Sequence, residues 1–575
     1  MRITILLLFM CLAGTSFSQE FLNLGFEYKM QGAESPKKWY VGNPGYITIL
    51  DETEKYSLSR SLKVASNSPM ENQFGLFTGN FPIDLAKGKG IELKGHLKTE
   101  SITNGYAGLW LKVYGQDGVL AFDEMENRGL KGTNDWQEVS LRLFVDDNAT
   151  EIDFGGLLID DGTAWFDDFQ IFIDGLEFKD LKPRITKPTT DELEWLRNNV
   201  HPLLTFDPNI KSNEDLEILD SLIGDAHVVG LGEVTHGSSE IFQMKHRIIK
   251  FLTEKKDFGI FSIEANMPEA YKLNEYIIDG KGNPKEFIKG MHFWTWRTKE
   301  VLNMVEWMRL HNEAKQKIQF TGFDMQYYYW SIMELEKAFK ENLKILNDLN
   351  AINQLLGKTS QQHLGSRMGA ISQEDKDTVV AKLKHVKEAI GSMEITKDSM
   401  AWLNQNSRII EQYMDKTVFT RDKYMAENVM WIKSQSKEPK IALWAHNAHI
   451  QRTMNSMGNV LSDSIAKNYV SIGFAFARGE YTATGSKGLT SYLAQEPYNG
   501  TFEKFFESID TPIFIIDLRT VKAEKPIHAK WLLEKLDFRQ VGAMKTTSEF
   551  YETNLKEDYD LIIFINDSSP SKILD

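Results

Sequence analysis

The sequence predicts a multidomain protein, an N-terminal all-β sandwich followed by an α/β domain built on a mostly parallel sheet. Three observations carry this. From residue 19 to 175, short runs of alternating apolar and polar residues recur between Gly, Asn and Asp, the spacing of a sandwich. A charged, Pro-broken stretch, 176–190, follows without apolar period and reads as a linker. From 191 to 575, apolar runs alternate with helical patterns, which implies parallel strands covered by helices.

The chain opens with Arg2, an apolar run from Ile3 to Leu12, and small residues at Ser16 and Ser18. This is the pattern of a secretory signal, residues 1–18, cleaved after Ser18. The protein is therefore expected in the periplasm or outside the cell. The single cysteine, Cys11, lies inside this segment, so the mature chain is expected to use no thiol nucleophile, thiolate ligand or disulfide. A net charge of −15 without a basic block argues against nucleic acid and anionic membranes as partners. No later apolar run is long enough to span a bilayer.

Within the sandwich, strands are expected at Tyr46–Leu50, Ser61–Val64, Gly90–Gly95, Leu109–Val113 and Glu138–Leu143. The segment opens with Asn23-Leu24-Gly25-Phe26-Glu27 and closes with Thr163-Ala164-Trp165-Phe166-Asp167-Asp168-Phe169-Gln170-Ile171. This pairing resembles jelly-roll carbohydrate-binding modules. The resemblance implies a structural calcium held in part by Glu27 and Asp168, whose oxygens suit that ion; the alternative is two ordinary strand-end acids. Trp39, Tyr40 and Trp110 either stack on a sugar, giving a glycan partner, or fill the core.

In the α/β domain, Asp191-Glu192 begins an amphipathic helix. Buried strands are expected at 226–232, 258–264, 317–323, 440–445, 469–475, 511–517 and 560–565. Helix 239–256 carries an apolar stripe through Ile241, Met244, Ile248, Ile249 and Leu252. Residues 330–437 break the rhythm and read as a helical insertion, with helices at 332–346 and 376–390, that walls or covers the site.

The first four of these strands each end in polar groups: Glu233 and His236, Glu264, Asp324, and His446 and His449. In a parallel sheet these ends share one rim, where such folds gather their chemistry. A carboxylate three residues from an imidazole orients the ring and raises its basicity.

The blocks Gly232-Glu233-Val234-Thr235-His236-Gly237, Ile263-Glu264-Ala265-Asn266, Trp296-Arg297, Gly322-Phe323-Asp324 and Trp444-Ala445-His446-Asn447-Ala448-His449-Ile450 resemble the erythromycin esterase family. Arg421-Asp422-Lys423-Tyr424-Met425-Ala426-Glu427-Asn428 fits the helix before the last block. The resemblance implies a three-layer α/β sandwich with a helical insertion, and hydrolysis of esters, with macrolide lactones as the prototype. It also implies His236 as general base for water, clustered with Glu233 and Glu264, and with Arg297, His446 and His449 at the same site.

Ester hydrolysis needs an activated nucleophile and a donor for the oxyanion. There is no Gly-x-Ser-x-Gly elbow; Ser238 and Ser239 open a helix and read as caps. Direct activation of water by His236 is the expected mechanism, with Arg297, His446 or His449 stabilising the oxyanion or protonating the leaving alkoxide. Asp324, Asn447 and Trp296 are candidate substrate contacts; for Asp324 a cap, and for Asn447 a turn, is the alternative. No cofactor is required in this reading. Three His with acids also suit Zn²⁺, Mn²⁺ or Fe²⁺, so a metal-dependent hydrolase, or a non-catalytic glycan-binding protein, is the competing reading.

Overall fold

A computed structural model describes residues 21–574 except 68–72, 117, 182–186, 315–316, 361–370, 418–419 and 436–438. The expected signal peptide, 1–18, lies outside the described residues. The chain divides into two compact units, up to Ile185 and from Thr186.

The first unit is a β-sandwich organised by one long strand, Gly90–Gly115. Its first half pairs with Leu130–Phe144 and Thr163–Ile173, and its second half with Glu151–Ile159 and Gly118–Asp123. Between the halves the backbone turns through positive φ at Ser101 and Gly105. Thr163–Ile173 continues to Ser61–Ser66 and Tyr46–Asp51; Glu151–Ile159 continues to Phe74–Asn80 and Tyr40–Val41. Phe26, Trp39, Phe77, Phe154, Phe166 and Phe169 pack together between the layers, mostly edge to face. Trp39 is thus core, its indole N–H donating to the Asn23 carbonyl at 3.0 Å. Trp110 is buried too, beside Tyr106 and Leu157. Of the three aromatics considered for a sugar face, only Tyr40 is exposed.

The sandwich extends into the stretch read as linker. Leu176–Glu177 pairs with Ile173 and Phe172, Phe178 packs on the core, and the Asp180 carboxylate accepts from the backbone N–H of Leu22 and Leu24. A two-residue ladder and one acid carry no periodicity to betray them. At the far end, Thr189 caps the helix Thr190–Asn199 in a capping box with Glu192.

The second unit holds a sheet whose parallel strands are β1 (Val228–Leu231), β2 (Ile260–Asn266), β3 (Gln319–Asp324), β4 (Ile441–Trp444), β5 (Tyr469–Gly485) and β7 (Leu561–Ser568). Their spatial order is β7-β5-β1-β4-β2-β3. β6 (Ile513–Asp517) adds to β7 antiparallel, and His201–Pro202 to β6. β5 outruns the expected 469–475 and forms a hairpin with Gly488–Leu493. The buried apolar runs of β1, β4 and β7 are those of strands covered on both faces.

α1 (Ser239–Lys256) follows β1, and α2 (Lys299–Ala314) packs beside it. The insertion contains α3 (Tyr329–Ala338), α4 (Leu343–Ser360), α5 (Gln373–Gly391) and α6 (Lys397–Asp415), with a core of their own that includes Leu335, Leu349, Leu383 and Ile410. The single helix expected over 332–346 is two: the chain turns at Phe339–Asn342, and the Asn342 side chain accepts from the Ile345 N–H, substituting for a helical carbonyl. α7 (Arg421–Ser434) falls within the span assigned to the insertion, yet it packs on β3 and supplies the site.

Candidate functional site

β1 delivers the first half of the site. Gly232 and Gly237 bracket the motif because nothing larger fits: a Cβ on Gly232 would lie 2.1 Å from Asn447 Oδ1, and one on Gly237 1.9 Å from the Thr482 carbonyl oxygen. The turn between them brings His236 Nδ1 to 2.6 Å from Glu233 Oε1. The other carboxylate oxygen, Oε2, takes the Lys245 ammonium at 2.5 Å, which also reaches the Ala445 carbonyl and lies over the Trp444 ring. Burial pulls the Lys245 ammonium down to about 8, against the pull of Glu233. Glu233 thus holds Nδ1–H, and no hydrogen bond occupies His236 Nε2 among the described residues.

β2, β3 and α7 build the second half. A bulge in β2, where three steps from Ile263 to Asn266 face two from Gly322 to Asp324, re-aims the strand at Glu264. Arg421 Nη2 donates to Glu264 Oε1 and to Asp324 Oδ2, both at 2.7 Å. His449 faces Asp422 through Nδ1 at 3.0 Å and Glu264 through Nε2 at 3.3 Å. Burial works against charge on each. Even so, the His449 and Arg421 charges hold the Glu264 carboxyl well below the usual range, and Glu264 with Asp422 pushes His449 up to about 10. Arg421 sits 3.1 Å from His449 Nε2; the three carboxylates around the two groups offset their repulsion.

His446 stands between the halves, its ring 5.3 Å from His236 and 6.5 Å from His449. Nδ1 accepts from the Ala448 N–H and Nε2 lies 3.2 Å from the Val234 carbonyl. With burial and both neighbouring imidazoles pulling it down to about 4, this ring is a neutral, backbone-tied spacer between the two.

The remaining candidates divide. Asp324 is fully buried and holds Arg421 instead of facing a substrate; it also accepts from the Met325 N–H. Asn447, considered for the substrate, bonds the Phe474 N–H and carbonyl with its amide and so splices the turn to β5. Trp296, also considered for the substrate, is 1% exposed and meets His236 edge-on at 5.8 Å; it props the imidazole. Arg297 is half-buried with no ion pair to the cluster among the described residues, and its Nε is buried without a partner. Ser238 caps α1 and receives the Ser568 hydroxyl, while Ser239 donates to Glu300. The C-terminal segment runs alongside: Ser571 N–H donates to the Gly237 carbonyl and Leu574 N–H to that of Arg297.

Lys245, Arg421 and Asp422 were not among the candidates. Lys245 had a signal: it shares a helix face with Ile241, Ile248 and Ile249, and a charge on a buried stripe needs a partner. Arg421 and Asp422 stood in the block that fits the family's helix, but no local pattern gave them a role, since their partners lie elsewhere along the chain.

As a metal centre the cluster fits poorly. Among the described residues no group of three His, Cys, Asp or Glu is placed to hold an ion, and the positive charge facing Glu264 and Asp324 is the Arg421 guanidinium. In the sandwich, Glu27 accepts from the Ser59 and Arg60 N–H groups, and Asp168 meets His96 and Gln170.

The family model described as erythromycin esterase matches residues 253–568. That span contains Glu264, Arg297, Asp324, Arg421, His446 and His449, and starts after Glu233 and His236. Erythromycin esterase type II from Escherichia coli is 26% identical over 432 residues, covering 66% of this chain and 99% of that one. A crystal structure of a Bacillus cereus protein superposes with TM-score 0.59 at 26% identity, over 68% of this chain and 100% of its own. A succinoglycan biosynthesis protein superposes with TM-score 0.57 at 27% identity, over 67% and 98%.

Proposed function

This chain belongs to the erythromycin esterase family, and from that premise we propose that it hydrolyses a carboxylic ester or lactone with water activated at His236. One observation carries the reading: Glu233 holds His236 Nδ1 at 2.6 Å while Lys245 occupies the opposite carboxylate oxygen, so the ring is fixed with Nε2 turned to reactant. Nε2 takes a proton from water as the oxygen bonds to the ester carbonyl carbon. The tetrahedral oxyanion then collapses, the C–O bond to the alcohol breaks, and the alkoxide takes a proton back. That proton comes from His236 Nε2, while His449, protonated between Asp422 and Glu264, keeps a fixed positive charge on the other side. Arg297, with its buried unpartnered Nε, serves the oxyanion. Such pre-oriented donors account for a large part of acyl-transfer catalysis.

No serine and no bound ion enters this scheme. The substrate is a macrolide-type lactone or an acylated glycan, the latter suggested by the neighbour named for succinoglycan biosynthesis. The N-terminal leader directs the protein to the periplasm or beyond, and N-terminal sequencing of the mature protein should begin at Gln19. A mass-spectrometric panel of macrolides, acylated sugars and small lactones, run in ¹⁸O-water, tests the chemistry. One ¹⁸O in the acid product, and activity that survives both a serine-directed phosphonylating reagent and extended chelation, is expected. Inactivation with a label on Ser238 or Ser239 would replace the mechanism with an acyl-enzyme. Loss on chelation, restored by Zn²⁺ or Mn²⁺, would replace it with a metal centre.

A further inference from the structure

The second unit has a cavity that the ester chemistry does not use. It opens where β2, β3 and β4 begin, beside Ile260, Gln319 and Lys440, with a volume of about 450 Å³. Glu264, Asp324 and His446 stand at the opposite ends of the same strands. Four residue steps along the strand lead from Ile260 to Glu264, roughly 13 Å, so the two sites lie at opposite ends of the sheet. The size falls in the range of small-molecule clefts, roughly 300–1,000 Å³.

Its wall is a ladder of three aromatic rings. Tyr271 lies 4.6 Å from Trp402 at 35°, and Trp402 lies 6.2 Å from Trp431 at 46°. Trp402 comes from α6 and Trp431 from α7. The Trp402 indole N–H donates to Glu334 at 3.1 Å, which fixes that ring's orientation. Tyr271 is 43% exposed, and its hydroxyl has no hydrogen-bond partner among the described residues. Trp402 and Trp431 are half-buried against the core, and an aromatic ring left open beside them in a concave site is a feature of recognition surfaces.

Around the rings stand groups that both give and take hydrogen bonds. Asp398 accepts only, the Gln319 amide does both, and Lys440 donates, with one of its three protons committed to the Lys256 carbonyl at 2.8 Å. Among the described residues two aspartates and two lysines line the cavity, a balance that favours neither a cation nor an anion. Flat apolar faces beside mixed donors and acceptors suit a neutral ligand with an apolar face and a rim of hydroxyls.

We propose that this cavity, walled by Tyr271, Trp402 and Trp431, is a binding site for a neutral saccharide, separate from the reacting rim. The inference does not rest on the ester reading, because none of its residues takes part in that chemistry.

The test titrates cellotriose, xylotriose and maltotriose separately into the full mature protein, followed by tryptophan fluorescence and calorimetry. At least one trisaccharide is expected to bind and to shift the emission. Tyr271→Ser should weaken it about tenfold, the scale of one lost aromatic contact. Gln319→Ala should weaken it several-fold, and since that side chain is exposed, the variant tests the site without disturbing the core. His236→Gln should bind as the parent does, and so should Tyr56→Ala, which removes an exposed ring stacked on His96 of the sandwich. Absence of binding by all three sugars at ~10 mM would overturn the proposal. So would binding unaffected by both Tyr271→Ser and Gln319→Ala, or binding abolished by Tyr56→Ala alone, which would move the saccharide to the sandwich. Competition of the bound sugar by the quaternary ammonium ion choline would also overturn it, showing a cation site.

Discussion

The two halves of the reacting rim are made of the same residue types and do different things. Around Glu233, each carboxylate oxygen has one partner, and the imidazole it holds keeps a nitrogen in reserve. Around Glu264, every group is answered by another: Arg421 spans Glu264 and Asp324, and His449 is gripped by Asp422 and Glu264. The first half can move a proton at once. The second keeps charge fixed in a buried place, where an unpaired ion is costly. A cluster of acids and histidines is therefore not uniformly reactive; what distinguishes the base is the atom left uncommitted.

The comparison breaks most sharply at His236. His236→Gln should lower kcat about a hundred- to ten-thousand-fold while circular dichroism and melting stay near the parent, measured on a small soluble ester. Near-normal turnover by a folded variant would put the base elsewhere. Arg421→Met attacks the other half and should act on stability first. It strands the buried Asp324 carboxylate and leaves Glu264 to His449 alone, a loss of about 3–5 kcal/mol, read as a lowered denaturant midpoint. If instead the variant is as stable as the parent but inactive, Arg421 is part of the chemistry and the halves are not divided as described.

A smaller effect sharpens the division through pH. Glu264 is held below its ordinary value of 4.5, so its contribution to stability is complete above that pH and lost as pH falls through the lowered value. His449 is raised from 6.5 to about 10, so its contribution is complete below 6.5 and declines as pH rises toward 10. Denaturation midpoints should fall along that alkaline limb in the parent and flatten in His449→Gln. An unchanged slope would mean that His449 carries no charge in the folded protein. The smallest expected effect belongs to the sandwich: residues 187–575, which keep the Thr189–Glu192 capping box, should fold and retain turnover on small esters. A soluble, monodisperse and inactive truncation would tie the sandwich to the site.

What the sequence revealed follows from the range of the forces involved. All seven apolar runs read as strands contain strands, because burial on both faces leaves an unbroken local signature. Glu233 and His236 were readable because their partnership spans three residues. The helix break at Asn342 was missed because one side chain replaces one carbonyl there. Arg421 was missed as a site residue because its partners, Glu264 and Asp324, lie 157 and 97 positions away. For Asn447 the turn was one of the two readings, and for Trp296 the role stayed open, since nothing local distinguishes an amide spliced to Phe474, or an indole propping an imidazole, from one that meets a substrate.

The strand Gly90–Gly115 has a consequence for how the sandwich comes apart. Its two halves supply a central partner to each layer, so neither layer is complete without it. Fraying that strand strips both layers together, and no half-sandwich is left to persist as an intermediate. Amide protons on the two layers should therefore exchange through one common opening, at one free energy.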